Sequence, residues 1–373
     1  MQHGPGPGAM RLHPADNVLV ALKPIAAGTM IASLPIKAGQ DIAPGHKLAA
    51  APIASGEAVL KYGQVIGVAT ARIAAGEHVH VHNLAMSKER AAVPPGRWSP
   101  PSGPPRSFMG FRRSDGRVGT RNYLRVLTSV NCSGTVARIV AEQAERRGIL
   151  ERFPHVDGII AITHGSGCGM AGSGEGYDIL RRTLWGTAMN PNVGAVLLSE
   201  TPEIHGAEHL LYARAESPHV ADLLRSRIGW WTRYMRRNGA ELDNNPSPGN
   251  KAGGLTTIIE KSLGAVAKSG TSPLVDVIGY GEPVRRSGLT FMDSPGYDPC
   301  SATGQVASGA NLLAFTTGRG SVFGFKPTPS IKIASNTDVA LRMQGDIDID
   351  CGSILRGDGD DRRSGRTDPR LSA

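Results

Sequence analysis

The run Ile160-Ala161-Ile162-Thr163-His164-Gly165-Ser166-Gly167-Cys168-Gly169-Met170 constrains the fold most. In it an apolar, strand-like stretch ends abruptly in a glycine-rich loop that carries one histidine and one cysteine. Glycines let the backbone turn through positive φ and approach a ligand closely, while His164 and Cys168 supply a base or metal ligand and a thiolate. A second loop repeats the pattern. The short apolar run at 123–127 leads into Thr128-Ser129-Val130-Asn131-Cys132-Ser133, and residues 135–147 then read as a helix with Val136, Ile139, Val140 and Ala144 apolar. Two strand-loop-helix units with polar groups in the loops predict an α/β layer with its site at the strand ends. The alternative is a pair of buried cysteines in tight turns.

With 48 Gly, 26 Pro and only 5% aromatic residues, the chain suits two or three loop-rich globular domains rather than a helical bundle. No run approaches the roughly 18 apolar residues of a membrane span, and residues 1–9 are Gly/Pro-rich rather than a signal peptide. A cytoplasmic protein without membrane attachment is the expectation. Cys132, Cys168, Cys300 and Cys351 lie far apart with no CxxC spacing, which indicates neither a zinc knuckle nor a disulfide framework. The net charge of +9 comes partly from Arg233, Arg236 and Arg237 and partly from the spaced series Arg112, Arg113, Arg117, Arg121 and Arg125. Interspersed with acids elsewhere, these suit a surface that attracts small anions, and nucleic acid is not expected as a partner.

The first ninety residues repeat the form Ile-x-x-Gly-x-x-(Ile/Val), starting at Ile25, Ile36, Ile53 and Ile73. Each copy reads as a strand end, a glycine turn and the next strand, and the irregular spacing predicts a small β domain rather than a solenoid. His78, His80 and His82 would share one face of a strand, a metal or carboxylate site or else an exposed polar face. The Pro-rich run at 92–105 marks a domain boundary. The expected organisation is therefore a β domain at 1–90, a linker at 91–107, an α/β domain at 108–198, a C-terminal region at 199–355 and a disordered charged tail at 356–373.

Two polar segments stand out in the third region. Residues 243–254, Asp-Asn-Asn-Pro-Ser-Pro-Gly-Asn-Lys-Ala-Gly-Gly, run into a helical pattern at 255–268 with Ile258, Ile259, Leu263 and Val266 apolar. A glycine-rich loop feeding a helix N-terminus offers free N–H groups to a carboxylate or phosphate, but the order of a nucleotide P-loop is missing. Residues 301–305 and 316–321 offer hydroxyls, an amide and the Arg319 guanidinium, which could grip a polyhydroxylated acid. Asp346, Asp348 and Asp350 would align on one strand face as a cation site or a solvated edge. No GxSxG elbow is present.

The Ile-x-x-Gly repeats with GHK, KYG and HVHVHN resemble a SAF (β-clip) domain. The motifs DGRVGTRNY, SVNCS, THGSGCGM, DNNPSPGNKAGGLTTI, MDSPGYDPCSATGQ and FTTGRGS resemble the altronate/galactarate dehydratase family, over most of residues 13–352. The resemblance implies a small N-terminal β-clip domain followed by an α/β catalytic region. It also implies a metal-assisted dehydration of a sugar acid to a 2-keto-3-deoxy acid, with Fe²⁺ or Mn²⁺ as cofactor. On this basis His46, Lys61, His164 and Cys168 are expected to be catalytic and Arg121, Asn131, Lys251 and Arg319 to bind substrate. His80 and His82 are expected to hold the metal, and a homo-oligomer is left open as the assembly. Removing a proton α to a carboxylate requires a base and stabilisation of the enediolate, which these residue types can provide.

Two departures from the family pattern bear on activity. Leu198 runs straight into Ser199-Glu200-Thr201-Pro202-Glu203-Ile204, where members of the family carry a further segment, and the usual C-terminal continuation gives way to the charged tail. A catalytically impaired paralogue that only binds sugar acids is therefore a second reading, and a lyase acting on a sulfonated hydroxy acid a third.

Overall fold

A computed structural model of the chain describes residues 8–31, 34–87, 107–128, 131–166, 170–190, 196–198, 200–240, 246–326 and 328–352. These fall into two compact units, one built from 8–87 with 201–273 and the other from 107–200 with 274–352. The stretch 199–355 is thus shared between the units.

The first unit opens with short strands: β1 (Ala9–Met10), β2 (Val18–Ala21), β3 (Lys47–Ala49), β4 (Ala58–Lys61), β5 (Gln64–Ala69), β6 (His78–Val79) and β7 (Leu84–Ala85). They form two antiparallel sheets, ordered β1-β2-β3-β6 and β4-β5-β7. The glycine repeats explain the compactness. Ile25 bridges to Ile42 and Ile53 to Ile73, all four isoleucines are buried, and Gly28, Gly56 and Gly76 turn the chain through positive φ. The β4–β5 hairpin closes on Tyr62 and Gly63, both at positive φ as a two-residue primed turn requires. The Asp16 carboxylate accepts hydrogen bonds from both turn amides.

The second unit then begins with the hairpin β8 (Phe111–Arg112) and β9 (Val118–Gly119), followed by β10 (Tyr123–Leu127), α1 (Gly134–Arg146), β11 (Gly158–Ile162), α2 (Glu175–Met189) and β12 (Val196–Leu198). β10 and β11 pair in parallel, so the two expected strand-loop-helix units lie side by side. The face of α1 that packs differs from expectation. Its small residues Gly134, Ala137, Ala141 and Ala144 are buried, while Val136, Ile139 and Val140 are exposed. Alanines let the helix axis come close to β11, a proximity that branched side chains would prevent.

The chain returns to the first unit as α3 (His209–Tyr212), α4 (Pro218–Arg237), α5 (Pro248–Ala252) and α6 (Ile258–Ala267). Ile258, Ile259, Leu263 and Val266 of α6 are buried as their spacing predicts, and Thr257 caps the helix by accepting from the Glu260 amide. The second unit is completed by β13 (Leu274–Ile278), β14 (Leu289–Met292), α7 (Asp298–Ser308), β15 (Leu313–Thr317), β16 (Ser330–Ala334), α8 (Thr337–Arg342) and β17 (Ile349–Asp350). These strands give two further parallel sheets, β12-β14-β13 and β15-β16-β17.

The aspartates at 346–350 do not form a cation site. Asp346 pairs with Lys332 Nζ at 3.7 Å, Asp348 accepts from the Lys332 amide, and Asp350 accepts from Thr337 Oγ1. Each carboxylate is spent on local structure, and only Ile349 and Asp350 are strand. Among the described residues no helix is long and apolar enough to cross a membrane.

Candidate functional site

Each unit carries one histidine-centred arrangement. In the second unit the motif loops leave the carboxyl ends of β10 and β11 and are tied to each other. His164 Nε2 donates to the Thr128 carbonyl at 3.2 Å, and His164 Nδ1 accepts from the Ser166 amide at 3.3 Å. Asn131 donates through its side chain to the Gly165 carbonyl and through its amide to the Ser166 carbonyl. A carbonyl can only accept, so Nε2 carries the proton and Nδ1 keeps its lone pair. The site thus lies where ligands bind in open parallel sheets, outside the carboxyl ends of the strands. Cys132 is exposed beside Asn131, and Cys168 lies outside the described residues.

Arg319 also follows the carboxyl end of a parallel strand, β15, and is exposed; the amides of Arg319 and Gly320 cap Thr317 Oγ1. Arg121 does not join this arrangement. It precedes β10, so it sits at the amino end of the strand whose carboxyl end leads to Asn131, roughly 17 Å of backbone away.

In the first unit four imidazoles gather. His46 stacks on His80 and lies tilted against His78, with ring centroids 5.1 Å away in each case, and His78 lies 5.4 Å from His80 and 5.5 Å from His82. The gathering is not made by strand alternation. β6 ends at Val79, and Asn83 folds residues 78–83 into a turn by accepting from the His80 amide and donating to the His78 carbonyl. His46 arrives from the turn before β3 and exchanges a 2.9 Å hydrogen bond with His78.

Lys251 lies on α5, and the end of α5 supplies the acceptors. The carbonyls of Lys251 and Ala252 accept from His80 Nε2 and His46 Nε2, each at 2.9 Å. Two glycines make this approach possible. Gly45 and Gly254 both have positive φ, and a Cβ on Gly254 would stand 2.4 Å from the Gly45 carbonyl oxygen.

Beneath the imidazoles is a charged group that the sequence did not single out. Glu260 is almost wholly buried and accepts from Lys47 Nζ at 3.0 Å, from Lys61 Nζ at 2.7 Å, and from the Thr256 amide and hydroxyl at 3.0 and 2.7 Å. Burial opposes the Glu260 charge, but the two ammonium groups and the Lys61 and Thr256 hydrogen bonds outweigh it and pull its pKa down to about 2.

Two expectations change on this evidence. Lys61 is buried against Glu260, and although burial works against its charge the carboxylate holds its pKa above the usual lysine value, which marks it as an anchor rather than a proton acceptor. The amide entering α6, expected to meet a ligand anion, is taken by the chain's own Glu260.

These donors do not suit the implied metal. His46 has both nitrogens engaged and His80 has Nε2 engaged, and among the described residues no three His, Cys, Asp or Glu side chains converge to hold an ion. The pair His80 and His82 therefore lacks a third protein ligand among the described residues.

Burial first, and then His46, His80, His82 and Lys47, push the His78 imidazole down to about 4; burial also lowers His80. Below the ordinary histidine value of 6.5 the unfolded chain therefore binds more protons than the folded one, and stability drops as the pH falls from 6.5 through about 4. The melting temperature of the first unit is expected to decline over that window, and the decline is expected to shrink in His78→Asn. Identical profiles for the two proteins would remove His78 as the cause.

The SAF domain of altronate/galactarate dehydratases matches residues 7–87, and the second domain of D-galactarate dehydratase/altronate hydrolase matches 110–213. The C-terminal domain of D-galactarate/altronate dehydratase matches 186–367, reaching into the charged tail. Altronate dehydratase of Escherichia coli (strain K12) is 29% identical over 456 residues, covering 93% of this chain and 91% of that protein. Altronate dehydratase of Bacillus subtilis (strain 168) is 28% identical over 458 residues, with 94% and 91% covered. Galactarate dehydratase (L-threo-forming) of Escherichia coli (strain K12) is 27% identical over 467 residues, with 94% and 89% covered.

Each aligned span is longer than the 373 residues of this chain, so the relatives carry residues that have no counterpart here. The second and C-terminal domain matches overlap at 186–213, around the Leu198–Ser199 junction where the sequence departs from the family pattern. Matches to all three domains of one family, running from residue 7 to residue 367, place the chain in the altronate/galactarate dehydratase family.

Proposed function

We propose that the chain dehydrates a sugar acid of the altronate or galactarate type to a 2-keto-3-deoxy sugar acid. The observation that carries this reading is the joining of Thr128 and Asn131 to His164 and Gly165 past the carboxyl ends of β10 and β11, in a chain that matches dehydratases along most of its length. In the reaction a base takes the proton from the carbon next to the carboxylate and the hydroxyl on the following carbon leaves as water with a second proton. The resulting enol then ketonises. His164 is assigned the first transfer, because its Nδ1 keeps a lone pair that meets only a long 3.3 Å hydrogen bond from the Ser166 amide among the described residues. Asn131 and Arg319, both at carboxyl ends of parallel strands, are assigned to substrate oxygens.

An end-point assay for 2-keto-3-deoxy acid tests the reading, using purified protein with Fe²⁺, with Mn²⁺ or with neither, under reducing conditions. The panel comprises altronate, galactarate and a sulfonated hydroxy acid. Product from altronate or galactarate is expected; product from the sulfonated acid alone would replace the dehydratase reading.

A second reading is favoured by the residues that the relatives have and this chain lacks. On that reading the chain binds sugar acids without turning them over. Saturable binding by calorimetry with no product from any acid would select it.

A further inference from the structure

We propose that Lys47 is a positioning residue for the imidazole group. Its ammonium holds the 247–254 loop so that two loop carbonyls keep His46 and His80 each in a single tautomer. Lys47 is the residue after His46, is fully buried, and spends its donors on the Gly254 carbonyl at 2.6 Å and on both Glu260 oxygens. It thereby links β3, the start of α6 and the last turn of the loop. Lys251 and Ala252, two and three residues before Gly254, present their carbonyls to His80 and His46. With Nε2 of His46 donating to Ala252, Nδ1 must accept from His78 Nε2, and the proton arrangement is fixed along that chain. Without the Gly254 tether, the loop keeps the close approach of Gly45 and Gly254 and its own backbone hydrogen bonds but loses the ammonium that fixes its last turn to β3.

The role of Lys47 is separable from general stability, because Glu260 has two ammonium partners. Lys47→Met and Lys61→Met each leave one ammonium on the carboxylate, but only Lys47→Met cuts the tether. In ¹⁵N-histidine-labelled protein, long-range ¹H–¹⁵N spectra of the wild type are expected to show His46 and His80 as fixed Nε2–H tautomers. Lys61→Met is expected to keep both signatures, and Lys47→Met to replace them with averaged ones.

Averaged tautomers in the wild type would overturn the proposal without any variant, as would fixed tautomers in Lys47→Met. Equal loss in both variants would reduce Lys47 to general scaffolding. This test is independent of the dehydratase reading, which assigns the chemistry to His164 in the other unit. If no substrate is turned over, that reading fails while the spectra still decide the role of Lys47.

Discussion

His164→Ala is expected to lower kcat by about 10²- to 10⁴-fold, the range attributable to one positioned proton-transfer group, with a modest change in melting temperature. The side chain is half-buried and makes one donated and one accepted hydrogen bond, to Thr128 and Ser166. Losing them costs about 1–2 kcal/mol at most, because solvent can reach the freed groups. The β10–β11 pairing and the packing of α1 do not involve this ring, and Asn131 still ties the loops through Gly165 and Ser166. Measuring kcat alongside thermal unfolding separates the outcomes. A variant that melts many degrees lower yet keeps wild-type turnover would make His164 a loop staple and leave the base to be found elsewhere.

Legibility in the sequence followed the range of the interactions. The parallel β10–β11 pair with its loops, the buried face of α6 and the isoleucine-glycine turns of the first unit all follow from local periodicity and turn chemistry. Local pattern failed where a partner lay far along the chain. Lys47 and Lys61 meet Glu260 about two hundred residues away, and nothing in GHK or KYG announces a carboxylate in the first turn of α6. The histidines were legible as neighbours, but alternation credited a strand with work done by the Asn83 turn, and it could not bring in His46. α1 misled for a different reason. Its large apolar residues looked like the packing face, whereas the small ones pack because of how close β11 lies. The resemblance names Arg121 and Asn131 together as substrate-binding, though one precedes and the other follows β10.

Glu260→Gln is expected to destabilise the first unit by about 3–5 kcal/mol at neutral pH, the usual result of removing one partner from a buried ion pair. The amide can still meet Thr256, but it leaves two ammonium groups, on side chains 0% and 7% exposed, facing each other without the carboxylate between them, Asp16 acting on Lys61 more weakly. The wild type loses the same interaction only in strong acid. Glu260 titrates near 2 when folded and near the usual carboxylate value when unfolded, so its stabilisation is present above about 4.5 and lost as the pH falls through about 2. In the variant the pH dependence keeps its sign but moves to the alkaline side. A buried lysine without its carboxylate sheds its proton more easily than in the unfolded chain, so the unfolded state binds more protons and stability rises with pH toward the ordinary lysine value. Urea unfolding from pH 6 to 10, following the first unit, reads both effects. A loss under about 1 kcal/mol that does not change with pH would mean that the carboxylate is not the counter-charge on which this core depends.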